Sequence, residues 1–166
     1  MRVSIVAKTE VHTPNRVIAA ALCDGVNLHT ALTEIAASEQ ITAAIVHMLG
    51  GLREVALVET DFTTGHKKSP LVFRRPLEII GGSGMISRLN DAPHLHLHLT
   101  LSFQDTDQMH GVTVIGGHVA YALVHAVEAL IICYDGLRLE RHPDPATGLA
   151  LWRRMTTTND HRSTSS

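Results

Sequence analysis

The chain has 166 residues, 45% of them hydrophobic and 18% charged. That length suits one domain with its own core, and the charged share is below the ~25% of ordinary globular chains, as in proteins that hide surface in an oligomer. A net charge of −2 does not point to a basic nucleic-acid face, no apolar run approaches the ~20 residues of a membrane span, and Cys23 and Cys133 make no disulfide framework.

The start, Met1 to Lys8, is too short for a signal-peptide core, so a soluble, cytoplasmic protein is expected. Arg16 to Leu22 reads as a short apolar strand, and Asp24-Gly25 as a turn. Asn27 is a candidate N-cap for a helix whose apolar positions Leu28, Leu32, Ile35 and Ala36 repeat at helical spacing, with Glu34 and Glu39 in water. Ile41 to Leu49 fits a helical stripe or a buried strand, and periodicity does not choose between them. Both cysteines sit in apolar runs and read as buried free thiols.

Glu54 to Glu59 alternates as a strand does, and Thr63 to Pro70 is a polar loop. Leu77 to Ile80 reads as a short strand closed by Gly81-Gly82-Ser83-Gly84. Asp91-Ala92-Pro93 is a turn that launches His94 to Phe103, where Leu95, Leu97, Leu99 and Leu101 fall on one face. Gln104 to Met109 is a polar loop, and Val112 to Ile115 returns as the second strand of a hairpin. Val119 to Tyr134 is expected to be a connection or helix, then a strand over Ala126 to Cys133. Asp144 to Gly148 is a turn, and Thr156 to Ser166 has the composition of a disordered tail, which leaves residues 1–155 as the domain. Short loops between strands, with a good helix early, point to an α+β fold with a mainly antiparallel sheet.

Histidine is the chemical signal. The chain has 12, and His94, His96, His98 and His118 fall in its most strand-like part. Residues two apart on a strand share a face and lie about 6.6–7 Å apart. His94, His96 and His98 therefore project together, opposite the leucines, and two neighbours can turn onto one metal ion. His118, behind Gly116-Gly117, is the natural third ligand, with His94 a further candidate. A lone core histidine is usually a hydrogen-bonded structural residue. Several on one face are costly to bury without partners, and a metal or a subunit axis would supply them. Neutral imidazoles favour zinc and similar transition metals over magnesium or calcium. Zinc held by three ligands keeps a fourth position open.

At these residues the chain resembles the plants-and-prokaryotes-conserved (PPC) domain family, over about residues 16–152. Asp24 to Leu28 is similar to the family's turn into its first helix. Met48 to Leu52 resembles the glycine after its second strand, which favours a strand there. Leu77 to Ile86 resembles its leucine-glutamate-isoleucine strand exit. Pro93 to Leu101 resembles its histidine-x-histidine strand, and Gly116-Gly117-His118 its glycine-glycine-histidine. Val127-Glu128 and Arg141 to Leu149 resemble its late strand and its ending. The resemblance implies an antiparallel sheet flanked by helices, a homotrimer, and metal binding at His96, His98 and His118. It also implies an association with DNA. The loop between His98 and His118, with His110 inside it, is longer than the family's usual one. No arginine-glycine-arginine-proline core of an AT-hook is present; Arg74-Arg75-Pro76 is only an echo.

Lys67-Lys68 with Arg74-Arg75, and Arg138, Arg141 and Arg153-Arg154, are the basic concentrations. A DNA footprint needs many phosphate contacts, so a solvated surface is the simpler reading. Glu128, between apolar residues, is expected to be buried and to orient a metal-bound histidine, as the family keeps a glutamate there, or else to pair with an arginine. Gly81 to Gly84 lacks the lysine of a phosphate loop, and no serine sits in a nucleophile elbow. Two functions remain open. One is a binding or regulatory module that presents a histidine-bound, zinc-like ion to a ligand or to DNA. The other is a metal-dependent enzyme acting on a small molecule, with Glu128 or His94 as proton carrier.

Overall fold

The structure, a computed structural model, describes residues 11–107, 109 and 111–157, with side chains described up to 153. Its elements are β1 (Arg16–Leu22), α1 (Leu28–Ser38), β2 (Ala44–Val58), β3 (Leu71–Leu89), β4 (Ala92–Gln104), β5 (Val112–Cys133), β6 (Leu137–Pro143) and β7 (Ala150–Thr157). Met1 to Lys8, His110 and residues 158–166 of the expected tail lie outside the described residues. Thr156 and Thr157 belong to β7.

The strands form one 7-stranded sheet in the order β1-β5-β2-β3-β6-β7, with β4 paired to both β3 and β5. The β3–β6 pairing is parallel, at Arg88 and Glu140; the others are antiparallel. β5 is shared lengthwise. Its start, Val112 to His118, pairs with β4, and the rest, from His118 on, pairs with β2. The sheet therefore closes through β2, β3, β4 and β5 around an apolar interior. Leu95, Leu97, Leu99 and Leu101 of β4 point inward and are buried with Val119, Ala122 and Val124 of β5. Each such leucine contributes roughly 1.5–3 kcal/mol over an exposed one. Helix α1 covers β4 and β5 with Leu28, Leu32 and Ala36. It starts where the Asn27 side chain accepts a 3.0 Å hydrogen bond from the Thr30 amide.

Several expectations are corrected. Residues 44–58 form one strand, so the ambiguous apolar run and the Glu54 to Glu59 strand are continuous. A bulge joins the two halves at Gly50, whose φ is +128°; a Cβ there would lie 2.1 Å from the Ala126 carbonyl oxygen. Gly81 to Gly84 lies inside the 19-residue β3 rather than closing a strand. At Gly82 the space of a side chain is taken by Leu99, 2.7 Å from where a Cβ would be. Val119 to Tyr134 holds no helix: β5 runs unbroken for 22 residues, because β1 and β2 pair with its two edges. Among the described residues α1 is the one helix, so the sheet is not flanked by several. Cys133 is buried, but Cys23 is exposed. β6 and β7 are strands beyond those expected; β6 alternates buried Leu137, Leu139 and Arg141 with Arg138 and Glu140, and the two pair with each other across the Asp144 to Gly148 turn.

Candidate metal centre

β4 presents two faces. Its leucines face the core, so His94, His96 and His98 face the other way, opposite Ser87, Met85 and Ser83 of β3. His98 is also the direct partner of His118 across the β4–β5 hairpin. Gly116 permits that approach: a Cβ there would lie 2.8 Å from the Leu99 carbonyl oxygen.

The structure brings His96, His98 and His118 together. Ring centroids are 5.1 Å apart for His96 and His98, 4.9 Å for His96 and His118, and 5.4 Å for His98 and His118. The Nε2 atoms of His96 and His98 are 3.0 Å apart, and one nitrogen from each of the three rings lies within 4.8 Å of the others. Ligands at 2.0–2.1 Å in a tetrahedron are about 3.4 Å apart, so this donor set fits a zinc-sized ion after small ring rotations.

Protonation also fits. Burial, then the Arg141 guanidinium and the neighbouring rings, hold His96 down at about 4. Burial, then Lys67, His98 and His29, hold His118 down at about 4. Both rings are therefore neutral near pH 7, the form that ligates metals. His98 is exposed while His96 and His118 are half-buried. At His98 a cleft of 390 Å³ opens, lined by Gly81, Gly82, Gly116 and Gly117 among others. The centre is thus reachable from one side.

His94 lies in the same row but outside the convergent group. Burial and then Arg141 push it down, and its Nδ1 is buried without a hydrogen-bond partner. Glu128 is exposed, not buried, and pairs across β5 with Leu49 and Ala21. It lies ten residues further along the same strand than His118, a span of up to about 33 Å, and so is remote from that ring within its own chain. Three neighbours of the centre were not foreseen there. His29 of α1 is pushed down by burial, against the pull of the Val119 backbone, and its Nδ1 is also buried without a partner. Lys67 and Arg141 were read as surface charges. No sequence signal ties these groups to β4, because α1, the 59–68 loop and β6 reach it only through folding.

Most of the described basic residues singled out above are ion-paired, stacked or buried, while Lys67 is exposed. Lys68 pairs with Glu59 at 3.0 Å and Arg74 with Glu54 at 3.4 Å. Arg75 stacks on Phe103, Arg138 pairs with Asp91 and Glu140, and Arg153 pairs with Asp144. Arg141 is buried. Among the described residues no helix is long and apolar enough to cross a membrane.

The model of the Plants and Prokaryotes Conserved (PCC) domain matches residues 9–134. A crystal structure of a metal-containing protein of Archaeoglobus fulgidus superposes with a TM-score of 0.80 at 27% identity, covering 89% of this chain and 99% of that one. A plant- and prokaryote-conserved protein of Pyrococcus horikoshii gives 0.77 at 24% identity, covering 89% and 97%. A candidate DNA-binding protein of Bacteroides thetaiotaomicron gives 0.72 at 22% identity, covering 86% and 97%. No curated protein matches the chain.

Proposed function

The chain belongs to the Plants and Prokaryotes Conserved domain family, and on that premise we propose that it is a homotrimeric module that holds a zinc-class ion and offers it to a small ligand. One observation carries the reading: imidazole nitrogens from two strands lie within 4.8 Å of one another. His96, His98 and His118 would hold the ion. When bound, it supplies a Lewis-acidic position on the His98 side, next to the glycine-lined cleft. The chain's own residues fix the rings: the leucine face of β4 anchors His96 and His98, and the hairpin register sets His118 against them. The metal-containing Archaeoglobus fulgidus relative supports the same reading.

Trimer formation is supported by the family resemblance and by an apolar sheet face. There alanines of β1, Met48, Leu49, Ala129 and Leu130, together with the exposed His47 and Glu128, line a depression of 580 Å³. Leu49 and Leu130 remain 59% and 51% exposed in the single chain, and a second copy is the natural cover.

A DNA-associated role is suggested by the candidate DNA-binding relative. The ion-paired arginines and lysines give it less support than the histidines give metal binding. A metal-dependent enzyme is the second reading, favoured by the cleft at the exposed His98. Elemental analysis of the purified chain tests the main proposal. About one zinc per chain is expected, lost in His96→Ala and in His118→Ala; equal metal content in all three proteins refutes it. Gel-shift binding to DNA that persists at physiological salt would restore the nucleic-acid reading.

A further inference from the structure

We propose that Arg141 is the receptor for the carboxylate of a small anionic ligand that sits beside the three-histidine centre; this rests on the metal-holding reading above. Arg141 of β6 is only 7% exposed. Its Nε donates to the Ser87 hydroxyl at 2.9 Å, and its Nη1 donates to the Ala150 carbonyl at 2.9 Å. The guanidinium lies 5.6 Å from the Trp152 ring. Among the described residues no carboxylate forms an ion pair with it; its described partners are a hydroxyl, a carbonyl and an aromatic ring. Arginine is almost never this buried without a counter-charge, and none of the described residues supplies one, so the site suits an anion.

The position of that charge is set by the sheet. Ser87 is fully buried and is the direct cross-strand partner of His94. Met85, two residues earlier, is the partner of His96. Partners across a ladder share a face, so Arg141 is anchored on the histidine face, one pair beyond His96. His94, between them, contributes a second buried nitrogen without a partner.

On the other side stands Lys67. It is exposed, on the loop that leaves β2 just after Val58, the direct partner of His118. Bridging of Thr60 to Lys67 closes that loop. Arg141 and Lys67 bring two positive charges toward this face. Neutral imidazoles add no negative charge, and a divalent ion would add two positive ones. An anionic ligand balances this set. A planar carboxylate matches the remaining edge of a guanidinium, and the burial of Arg141 admits only a small group.

The test uses the full zinc-loaded chain and matched acids and amides: lactate with lactamide, and succinate with succinamide. Calorimetry is expected to show at least one acid binding tenfold or more tighter than its amide. Arg141→Lys is expected to weaken that acid at least tenfold, and Lys67→Ala several-fold, with zinc content unchanged. Acids that bind no better than their amides overturn the proposal, as does full affinity in either variant. Tighter binding of inorganic phosphate than of every acid overturns the carboxylate assignment. If Arg141→Lys does not fold, Lys67→Ala on its exposed loop decides. Absence of zinc from the wild-type chain strikes the metal reading instead, and the same acid and amide pairs on the metal-free chain still judge Arg141.

Discussion

His98 and His118 face each other as direct partners across the β4–β5 hairpin, with ring centroids 5.4 Å apart. His96 closes the triangle from two residues along β4, its Nε2 3.0 Å from that of His98. Two chain segments separated by a polar loop thus supply one donor set, and the hairpin register controls it.

Removal of one ring should be felt as lost affinity rather than lost fold, since His98 is exposed and its backbone pairing is independent of the side chain. His98→Ala is expected to weaken zinc by about a hundredfold or more, beyond the 10–100-fold typical of outer-shell changes. His125→Ala, at an exposed histidine of β5 away from the three rings, is the control and should leave affinity unchanged. Competition with a chromophoric chelator measures both; equal affinity in His98→Ala would remove that ring from the centre.

Register can be disturbed without touching a histidine. Gly116→Val places a side chain where a Cβ would lie 2.8 Å from the Leu99 carbonyl oxygen, a backbone atom that cannot swing away. β5 must then part from β4 beside His118. The expected result is a protein destabilised by about 1–3 kcal/mol, the range for overpacking, with zinc affinity reduced although all three ligands remain. Urea unfolding with parallel metal analysis checks it, and full metal affinity would show that the approach at Gly116 does not set the site.

Acid sensitivity is expected at Asp24. The hydrogen bond from Arg53, 2.6 Å from its Nε, holds the carboxyl down at about 2, below the ordinary 3.8. The folded state therefore binds this proton later than the unfolded chain does. The contribution of the pair is complete above about pH 4 and disappears as pH falls from 3.8 through about 2. Carbon-13 NMR of the Asp24 carboxyl should show the low midpoint, and Arg53→Ala should move it back toward 3.8. A wild-type midpoint near the ordinary value would disprove the pairing in solution.

Assembly can be tested on the apolar sheet face. Leu130→Glu puts a charge beside Leu49 and the alanines of β1. Light scattering is expected to show a trimer for the wild type and a monomer for the variant, with the same far-ultraviolet circular dichroism. A wild-type monomer, or a trimer unaffected by the glutamate, would move the interface elsewhere or abolish it.

Much of this molecule was legible in order along the chain. β1 spans the residues its apolar run suggests, and Asn27 caps α1 as its side-chain chemistry dictates. The leucine and histidine faces of β4 follow from strict alternation, because a strand's side chains take opposite sides by local geometry alone. Where the chain was misread, long-range packing overrode local signals. Glycines that mark turns elsewhere lie within β3, since Leu99 fills the room a side chain would need at Gly82. β5 is mostly apolar on both faces, with Leu130 left exposed, and that blurred the cue distinguishing one strand from two elements.

The histidine row on β4 was therefore written in the sequence, as was the glycine pair that lets a second strand come near. The ring spacing, the exposure of His98 and the arrival of Arg141 from β6 were decided only in three dimensions. Pairing register and burial depend on residues far apart along the chain, and no local pattern encodes them.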